Sequence, residues 1–194
     1  MCESDIDLIK GIQNGDHHAF ERLVQRYQGP LFNFLFKYTS DPQTAEDLSQ
    51  EVFLRIFRAA HGFTVRPGAK FSTWLFKIAY NLAVNEFKRR KKFLDLKNTV
   101  SVQKDEPIEQ QNLIWSKHRE LEIEMLTALK AIPENQRAAL LLRVYDALTY
   151  REISEVLGVT LSGVETLIFR ARQHLKKHLK PPEKVKHHGL QRNL

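Results

Sequence analysis

A run of hydroxyl, carboxylate and guanidinium side chains at helical spacing is the strongest candidate for chemistry in the chain. The solvent-facing positions of a helix that starts at Thr160 would be Ser162, Glu165, Thr166, Phe169, Arg170 and Gln173. Hydroxyl and charged groups near the start of such a helix can reach the edges of DNA bases. The basic side chains placed to meet phosphates are Arg172, Lys176 and Lys177. This pattern predicts recognition of nucleic acid.

The residues before and after this helix start predict a helix-turn-helix. Thr149 and Glu152 match a capping box, in which each satisfies a backbone N–H of the first turn. Gly158 falls where a helix ends in a left-handed residue, and Thr160 can cap the next helix. The buried face of that second helix would consist of Val164, Leu167, Ile168, Ala171 and Leu175. An ordinary helical hairpin is the alternative, but the ordered caps, glycine and basic face favour DNA binding.

Catalytic and metal-binding patterns are weak. His174 and His178 have the i, i+4 spacing that can bind a metal, but no carboxylate or cysteine lies near them in the sequence. No phosphate-binding Gly-rich loop and no nucleophile elbow occurs. The single cysteine, Cys2, excludes a disulfide scaffold. We therefore expect no cofactor and no metal, and a helical nucleic-acid enzyme is a disfavoured alternative.

The net charge of +7 is unevenly distributed along the 194 residues. Residues 1–70 have a net charge of −1, residues 71–110 of +3 and residues 111–194 of +5. This distribution favours a polyanionic partner, with nucleic acid ahead of a membrane surface. No apolar stretch approaches about 18 residues, and the acidic N-terminus lacks the pattern of a secretion signal. We expect a cytoplasmic protein.

Apolar residues recur at helical spacing over most of the chain, and no segment alternates as a strand does. The fold is therefore expected to be all-α. Gly29 and Pro30 are expected to end one long helix, and Pro42 to occupy the first position of the next. A loop is expected at 61–70, after which Ser72 would cap a further helix.

The helical pattern weakens in the middle of the chain. A run of five positive charges at 88–92 precedes a mostly polar segment, residues 93–117. We predict a flexible linker there, joining two small helical domains at residues 1–92 and 118–180, with a basic tail at 181–194.

Three ordered segments resemble the sigma factors of bacterial RNA polymerase. Residues 45–53 are similar to the core-binding motif of that family, and residues 71–81 with the basic run resemble its promoter-melting and minus-10 segment. Residues 148–177 are similar to its minus-35 helix-turn-helix. Two domains joined by a linker match the extracytoplasmic-function (ECF) group of the sigma-70 family.

This resemblance implies a transcription initiation factor and not an enzyme. Such a factor binds core RNA polymerase, directs it to promoters with minus-10 and minus-35 elements, and aids strand opening. An anti-sigma protein, often anchored in the membrane, is a further partner that the resemblance implies. A stand-alone helix-turn-helix regulator is the alternative, but it would have no reason to carry the pattern at 44–57.

The resemblance also assigns candidate residues to three surfaces. Core polymerase would be bound by Glu46, Asp47, Gln50, Glu51 and Phe53. Minus-10 DNA would be contacted by Phe63, Arg66, Lys70, Trp74, Lys77, Asn81, Lys88, Arg89 and Arg90, although for Trp74 a core position is favoured over base stacking. Minus-35 DNA would be contacted by Thr160, Ser162, Glu165, Thr166, Phe169, Arg170, Arg172 and Lys176. Glu165 departs from the family, which usually has a basic residue there, so the family's promoter sequence is not expected to carry over.

Overall fold

The computed structural model describes residues 3–60, 62, 70–97, 116–144 and 147–179, without the side chains of 94–97 and 116–121. These ranges contain helices and no strand, as predicted for an all-α fold. The helices are α1 (Asp5–Gln13), α2 (His17–Thr39), α3 (Pro42–Ala60), α4 (Phe71–Lys97), α5 (Ser116–Lys130), α6 (Glu134–Val144), α7 (Tyr150–Leu157) and α8 (Leu161–His178). The basic tail and most of the predicted loop and linker lie outside the described residues.

Helices α1, α3 and α4 pack around α2. Helix α1 lies on α2, and α3 and α4 pack against the other faces of α2. The apolar stripe of α3 consists of Ala45, Leu48, Val52 and Ile56, which recur at helical spacing, and it is buried. Aromatic side chains fill the centre, where Phe34 meets Phe76 edge to face at 5.5 Å between ring centroids. Burial of these apolar faces is the main source of stability in this half.

Helix α2 runs without interruption through Pro30, so the predicted break at Gly29 and Pro30 is wrong. Two local features reduce the cost of the proline. Gly29 has no Cβ to collide with the proline ring, and Pro30 lies on the exposed side of α2, where its ring displaces no core side chain. Buried residues on either side of the proline, Leu23 and Leu31, then hold both halves of the helix on one core.

Helix α4 begins at Phe71, two residues earlier than a cap at Ser72 predicts, so Ser72 lies inside the helix and does not cap it. Phe71 is buried, and its ring meets Tyr27 of α2 at 5.2 Å. This packing places the first turn of α4 against α2. The helix then continues through the whole basic run and ends at Lys97. Residues 93–97, which were predicted to begin the linker, are therefore helical.

Helices α5 to α8 form the second half, in which α6 packs on α7 and α8. Leu140 and Leu141 are buried, whereas Val144, at the C-terminal end of α6, is 59% exposed. On α8 the predicted stripe is inward: Val164, Ile168 and Ala171 are buried.

The two halves are in contact. Helix α7 packs against α4, and α6 packs against α2. Buried apolar side chains from both halves belong to one cluster, which includes Tyr38 and Tyr80 from the first half and Leu142 from the second. The placement of the helix-turn-helix is therefore fixed by α2 and α4.

Candidate nucleic-acid and protein interfaces

The helix-turn-helix forms from local sequence signals. The backbone N–H of Thr149 donates to Glu152 Oε2 at 2.7 Å, and the backbone N–H of Glu152 donates to Thr149 Oγ1 at 3.3 Å. Gly158 closes α7 with φ of 67°, in the left-handed region that favours glycine. The backbone N–H of Gly163 donates to Thr160 Oγ1 at 3.1 Å, so Thr160 caps α8.

The outward face of α8 carries the residues predicted to contact minus-35 DNA. Exposed on this helix and its cap are Thr160, Ser162, Glu165, Thr166, Phe169, Arg170, Arg172 and Lys176. Phe169 is 63% exposed and adds apolar surface to this otherwise polar face. Thr166 Oγ1 donates to the carbonyl of Ser162 at 2.9 Å, which leaves its lone pairs able to accept a hydrogen bond from a base.

The residues of α4 predicted to contact minus-10 DNA divide between surface and packing. Lys77, Asn81 and Lys88 are exposed. Trp74 is half-buried, with its ring edge to face with Phe71 at 5.8 Å, so it both packs and presents a surface. Phe63 and Arg66 lie outside the described residues.

Lys70, immediately before α4, is not free for DNA in this arrangement. Its Nζ lies 2.8 Å from Glu152 Oε1 in the helix-turn-helix. Burial opposes ionisation of Glu152, but hydrogen bonds from Lys70 and Thr149 outweigh it and hold the pKa of this carboxyl below its usual range.

The basic run is partly committed to ion pairs within the first half. Arg89 and Arg90 both donate to Glu86 Oε1, at 2.8 and 2.9 Å. Arg90 also donates to Asp41 Oδ2 at 3.0 Å and to the hydroxyl of Thr44. The hydrogen bonds from Arg89 and then Arg90 hold the pKa of Glu86 below its usual range. Arg90 therefore ties α4 to the start of α3, while Lys88 remains exposed.

The outward face of α3 carries the residues predicted to bind core polymerase. Glu46, Asp47 and Gln50 are exposed, while Glu51 is intermediate and pairs with Arg55 at 2.7 Å. Phe53 is half-buried. The carboxylates thus lie on the surface beside a buried stripe.

An apolar groove next to these carboxylates was not predicted. It has a volume of about 560 Å³ and is lined by Phe20, Gln50, Phe53, Leu54 and Phe57. Phe20 and Phe57 meet edge to face at 4.9 Å, and Leu54 is 49% exposed. Large apolar residues off the buried stripe of α3 were the sequence signal for this groove.

Two other classes of site are not observed in the part of the chain that the structure describes. No group of three or more histidine, cysteine or acidic residues is placed there to hold a metal ion. Within the same ranges, no helix is both long enough and apolar enough to cross a membrane.

Comparison with known proteins identifies the two halves. The family profile of Sigma-70 region 2 matches residues 23–93, and that of Sigma-70, region 4 matches residues 122–175. RNA polymerase sigma-H factor from Pseudomonas aeruginosa is 33% identical over 187 residues, which cover 92% of this chain and 95% of the relative. ECF RNA polymerase sigma factor SigM from Bacillus subtilis is 32% identical over 162 residues, covering 81% and 93%.

Two solved structures share the fold. CnrH in complex with the cytosolic domain of CnrY aligns with a TM-score of 0.67 at 21% identity, covering 91% of this chain and 96% of CnrH. Sigma factor RpoE from Bartonella quintana, in complex with the anti-sigma factor NepR, also aligns with a TM-score of 0.67 at 21% identity, covering 84% and 98%. With both regions matched in order and a relative above 30% identity along nearly its whole length, the chain belongs to the ECF group of the sigma-70 family, the transcription initiation factors of RNA polymerase.

Proposed function

We propose that the three surfaces divide the work of a sigma factor among themselves. Residues 1–92 form the region 2 domain, in which α3 binds core polymerase and α4 contacts minus-10 DNA. Residues 118–180 form the region 4 domain, in which α8 reads minus-35 DNA. The observation that carries this proposal is the face of α8, capped at its start and lined with exposed polar and basic groups. A helix with this face fits the major groove.

The polymerase surface combines charge with an apolar anchor. Asp47 and Glu51 offer carboxylates to a basic partner, and the groove beside them accepts an apolar side chain. An apolar centre with a charged rim is the usual anatomy of a protein interface. Leu54 and Phe57, exposed at the groove, extend the set of contact residues beyond those that the sequence indicated.

Co-purification with core polymerase tests this surface. The double change Asp47→Lys and Glu51→Lys should abolish co-purification while the helical circular dichroism is retained. A matched control reverses two exposed charges in the second half, Glu122→Lys and Glu155→Lys, and should retain binding. Leu54→Glu tests the groove separately and should also weaken binding. If co-purification is unchanged both for Asp47→Lys with Glu51→Lys and for Leu54→Glu, α3 is not the polymerase-binding surface.

The match to both sigma regions does not favour a stand-alone regulator, and run-off transcription tests the polymerase-dependent role directly. Core polymerase plus this chain on genomic fragments should give discrete transcripts that core polymerase alone does not give. A stand-alone regulator would bind fragments without producing transcripts.

We also propose that an anti-sigma protein sequesters this chain in the cytoplasm. CnrH and RpoE, which share its fold, were both solved with a bound partner, and that of RpoE is named an anti-sigma factor. A pull-down from the native cell, with and without an inducing stress, should recover a second protein besides polymerase. Recovery of that protein from the membrane fraction would support an anchored inhibitor, and recovery of polymerase alone under both conditions would overturn sequestration.

A further inference from the structure

Arg137 is a buried cation that joins the two halves of the molecule. It lies on α6, is only 6% exposed, and its Nη1 donates to the carbonyl of Tyr38 on α2 at 2.7 Å. Its guanidinium carbon also lies 5.5 Å from the ring centroid of Tyr38 and 5.9 Å from that of Phe87 on α4. Both distances are within the range of cation–π attraction.

The carbonyl that Arg137 binds has no partner in its own helix. Tyr38 lies in the last turn of α2, and four residues later the chain has Pro42, which has no N–H to donate. A guanidinium at the C-terminal end of a helix is also stabilised by the helix dipole. The end of α2 is therefore a receptor for a cation, and α6 supplies it.

Two further polar contacts cross between the halves. The hydroxyl of Tyr80 on α4 donates to Asn135 Oδ1 at the start of α6, at 2.9 Å. Lys70 pairs with Glu152 at 2.8 Å, and the Glu152 side chain is 13% exposed. The Arg137 contact lies in the packing of α6 on α2 and the Lys70 contact beside that of α7 on α4, while the Tyr80 contact joins α4 to α6.

Arg137 makes a short hydrogen bond to Tyr38, but not every buried polar atom at this contact has a hydrogen-bond partner. Arg137 Nε and the hydroxyl of Tyr38 are both buried without a hydrogen-bond partner. Burial also lowers the pKa of Arg137, because desolvation disfavours its charged form. Separating the halves would let water reach these groups, which offsets part of the lost contact. Because regained hydration offsets part of the lost contact energy, this interface can open more easily than a core in which every buried polar group is hydrogen-bonded.

We propose that these contacts hold the free protein in a closed state, with Arg137 as the latch and with Glu152 occupying Lys70 in place of a DNA phosphate. In this state the outward face of α8 stays exposed, but its angle to α4 is fixed and Lys70 is engaged. The Glu152 part of the proposal depends on the DNA role proposed for Lys70. The latch itself does not depend on it.

Distance measurement on the full chain tests the latch. Dyes for energy transfer are attached at Arg58→Cys and Gln173→Cys, both exposed positions, in a Cys2→Ser background. The wild type should give one narrow distance distribution, and Arg137→Met with Glu152→Gln should give a longer and broader one. Glutamine retains the capping box, so α7 is preserved.

Arg143→Met with Glu155→Gln is the matched control. Arg143 also lies on α6 and also combines a carbonyl contact, to Leu148, with a ring contact, to Tyr150, but both partners are in its own half. The control should keep the narrow distribution. A broad wild-type distribution would overturn the closed state, and an unchanged one in the latch variant would overturn Arg137 as the latch. If Arg137→Met fails to fold, Tyr80→Phe with Glu152→Gln tests the other two contacts between the halves, and an unchanged distribution would overturn their part in holding the closed state.

Binding to a mixed-sequence DNA duplex tests the role of Glu152. Glu152→Gln and Glu155→Gln remove the same charge from the same helix, but only the first frees Lys70. Glu152→Gln should raise the affinity several-fold more than Glu155→Gln, with a steeper salt dependence. Equal gains would overturn the phosphate-mimic role. Neither measurement contains polymerase, so loss of polymerase binding would overturn the proposed function and leave the latch standing.

Discussion

At the scale of single residues, the face of α8 separates side chains that can read bases from those that bind phosphate. Glu165 is exposed about one turn from the start of α8 and has only acceptor atoms. It can accept from the amino group of cytosine but cannot donate to guanine. Arg172 is exposed further along the same helix, and we propose that its guanidinium binds backbone phosphate.

We predict that Glu165→Lys changes the preferred upstream promoter element and raises general DNA affinity. The added charge removes phosphate repulsion and supplies a donor. Binding-site selection measures the first effect and salt titration the second. Glu155→Lys makes the same charge change on α7 and should raise affinity without changing the selected sequence. An unchanged selected sequence for Glu165→Lys would show that this side chain does not read bases.

Arg172→Ala should weaken binding to all promoters about equally. The expected loss is about 1 kcal/mol for one phosphate contact, with a shallower salt dependence. Affinities for a panel of promoters, measured at several salt concentrations, check this. A loss confined to some promoters would mean that Arg172 contacts bases.

Glu86 is expected to contribute pH-dependent stability. Its pKa is lowered in the folded state by Arg89 and Arg90, so its contribution is fully present above its ordinary pKa and is lost as the pH falls through the lowered folded-state pKa. Glu86→Gln should cost about 1 kcal/mol at pH 7, and this difference should shrink and then disappear as the pH falls below the ordinary pKa of a glutamate. Urea unfolding at a series of pH values measures it. Lys88→Gln, a charge change on an exposed neighbour, should not give the same pH dependence.

At the scale of elements, local signals explain what the sequence could predict. The caps at Thr149 and Thr160 and the left-handed Gly158 are decided by residues a few positions apart, and the structure has each of them. The break expected at Pro30 is wrong because packing on both sides of the proline outweighs its local cost. The groove at Leu54 depends on α2 and α3 together, so residue spacing on one helix could not define it.

Helix α2 gives an element-scale prediction. Pro30→Ala should stabilise the protein, by up to about 3 kcal/mol, because it restores a backbone hydrogen bond in a helix interior. Gly29→Ala with Pro30 retained should destabilise it, because the new Cβ meets the proline ring. Thermal unfolding of the two variants should therefore shift in opposite directions. A shift in the same direction would contradict our account of how the helix passes Pro30.

At the scale of the whole molecule, the contacts between the two halves could not be predicted from the sequence. Arg137 and Tyr38 are 99 residues apart, and nothing in the spacing around either residue indicates the other. The ion pair between Lys70 and Glu152 could not be predicted either. Each residue has a role near its own position in the chain, Glu152 in the capping box of α7 and Lys70 as a candidate DNA contact before α4, so neither indicates the other. Periodicity finds the apolar face of a helix, but it does not say which other helix covers that face.

Separating the halves provides a whole-molecule prediction. Residues 1–97 and 116–180, expressed alone, should each be helical, because each half has its own buried stripe. Each should unfold at a lower temperature than the full chain, because α6 and α7 lose their contacts with α2 and α4. Calorimetry of the three proteins measures this. Equal unfolding temperatures would mean that contact between the halves adds no stability.

The unbroken course of α4 also sets a length scale for the DNA. Trp74, Lys77, Asn81 and Lys88 are separated by three, four and seven residues, so they lie along one stripe of the helix. Lys77 and Lys88 are about 16 Å apart along the helix axis, at about 1.5 Å per residue. At about 3.4 Å per nucleotide along a strand, this is close to five nucleotide steps. If α4 contacts minus-10 DNA as proposed, the spacing of those contacts is fixed by the helix and no change of linker length can alter it, whereas the distance to the minus-35 element depends on how the two halves are placed.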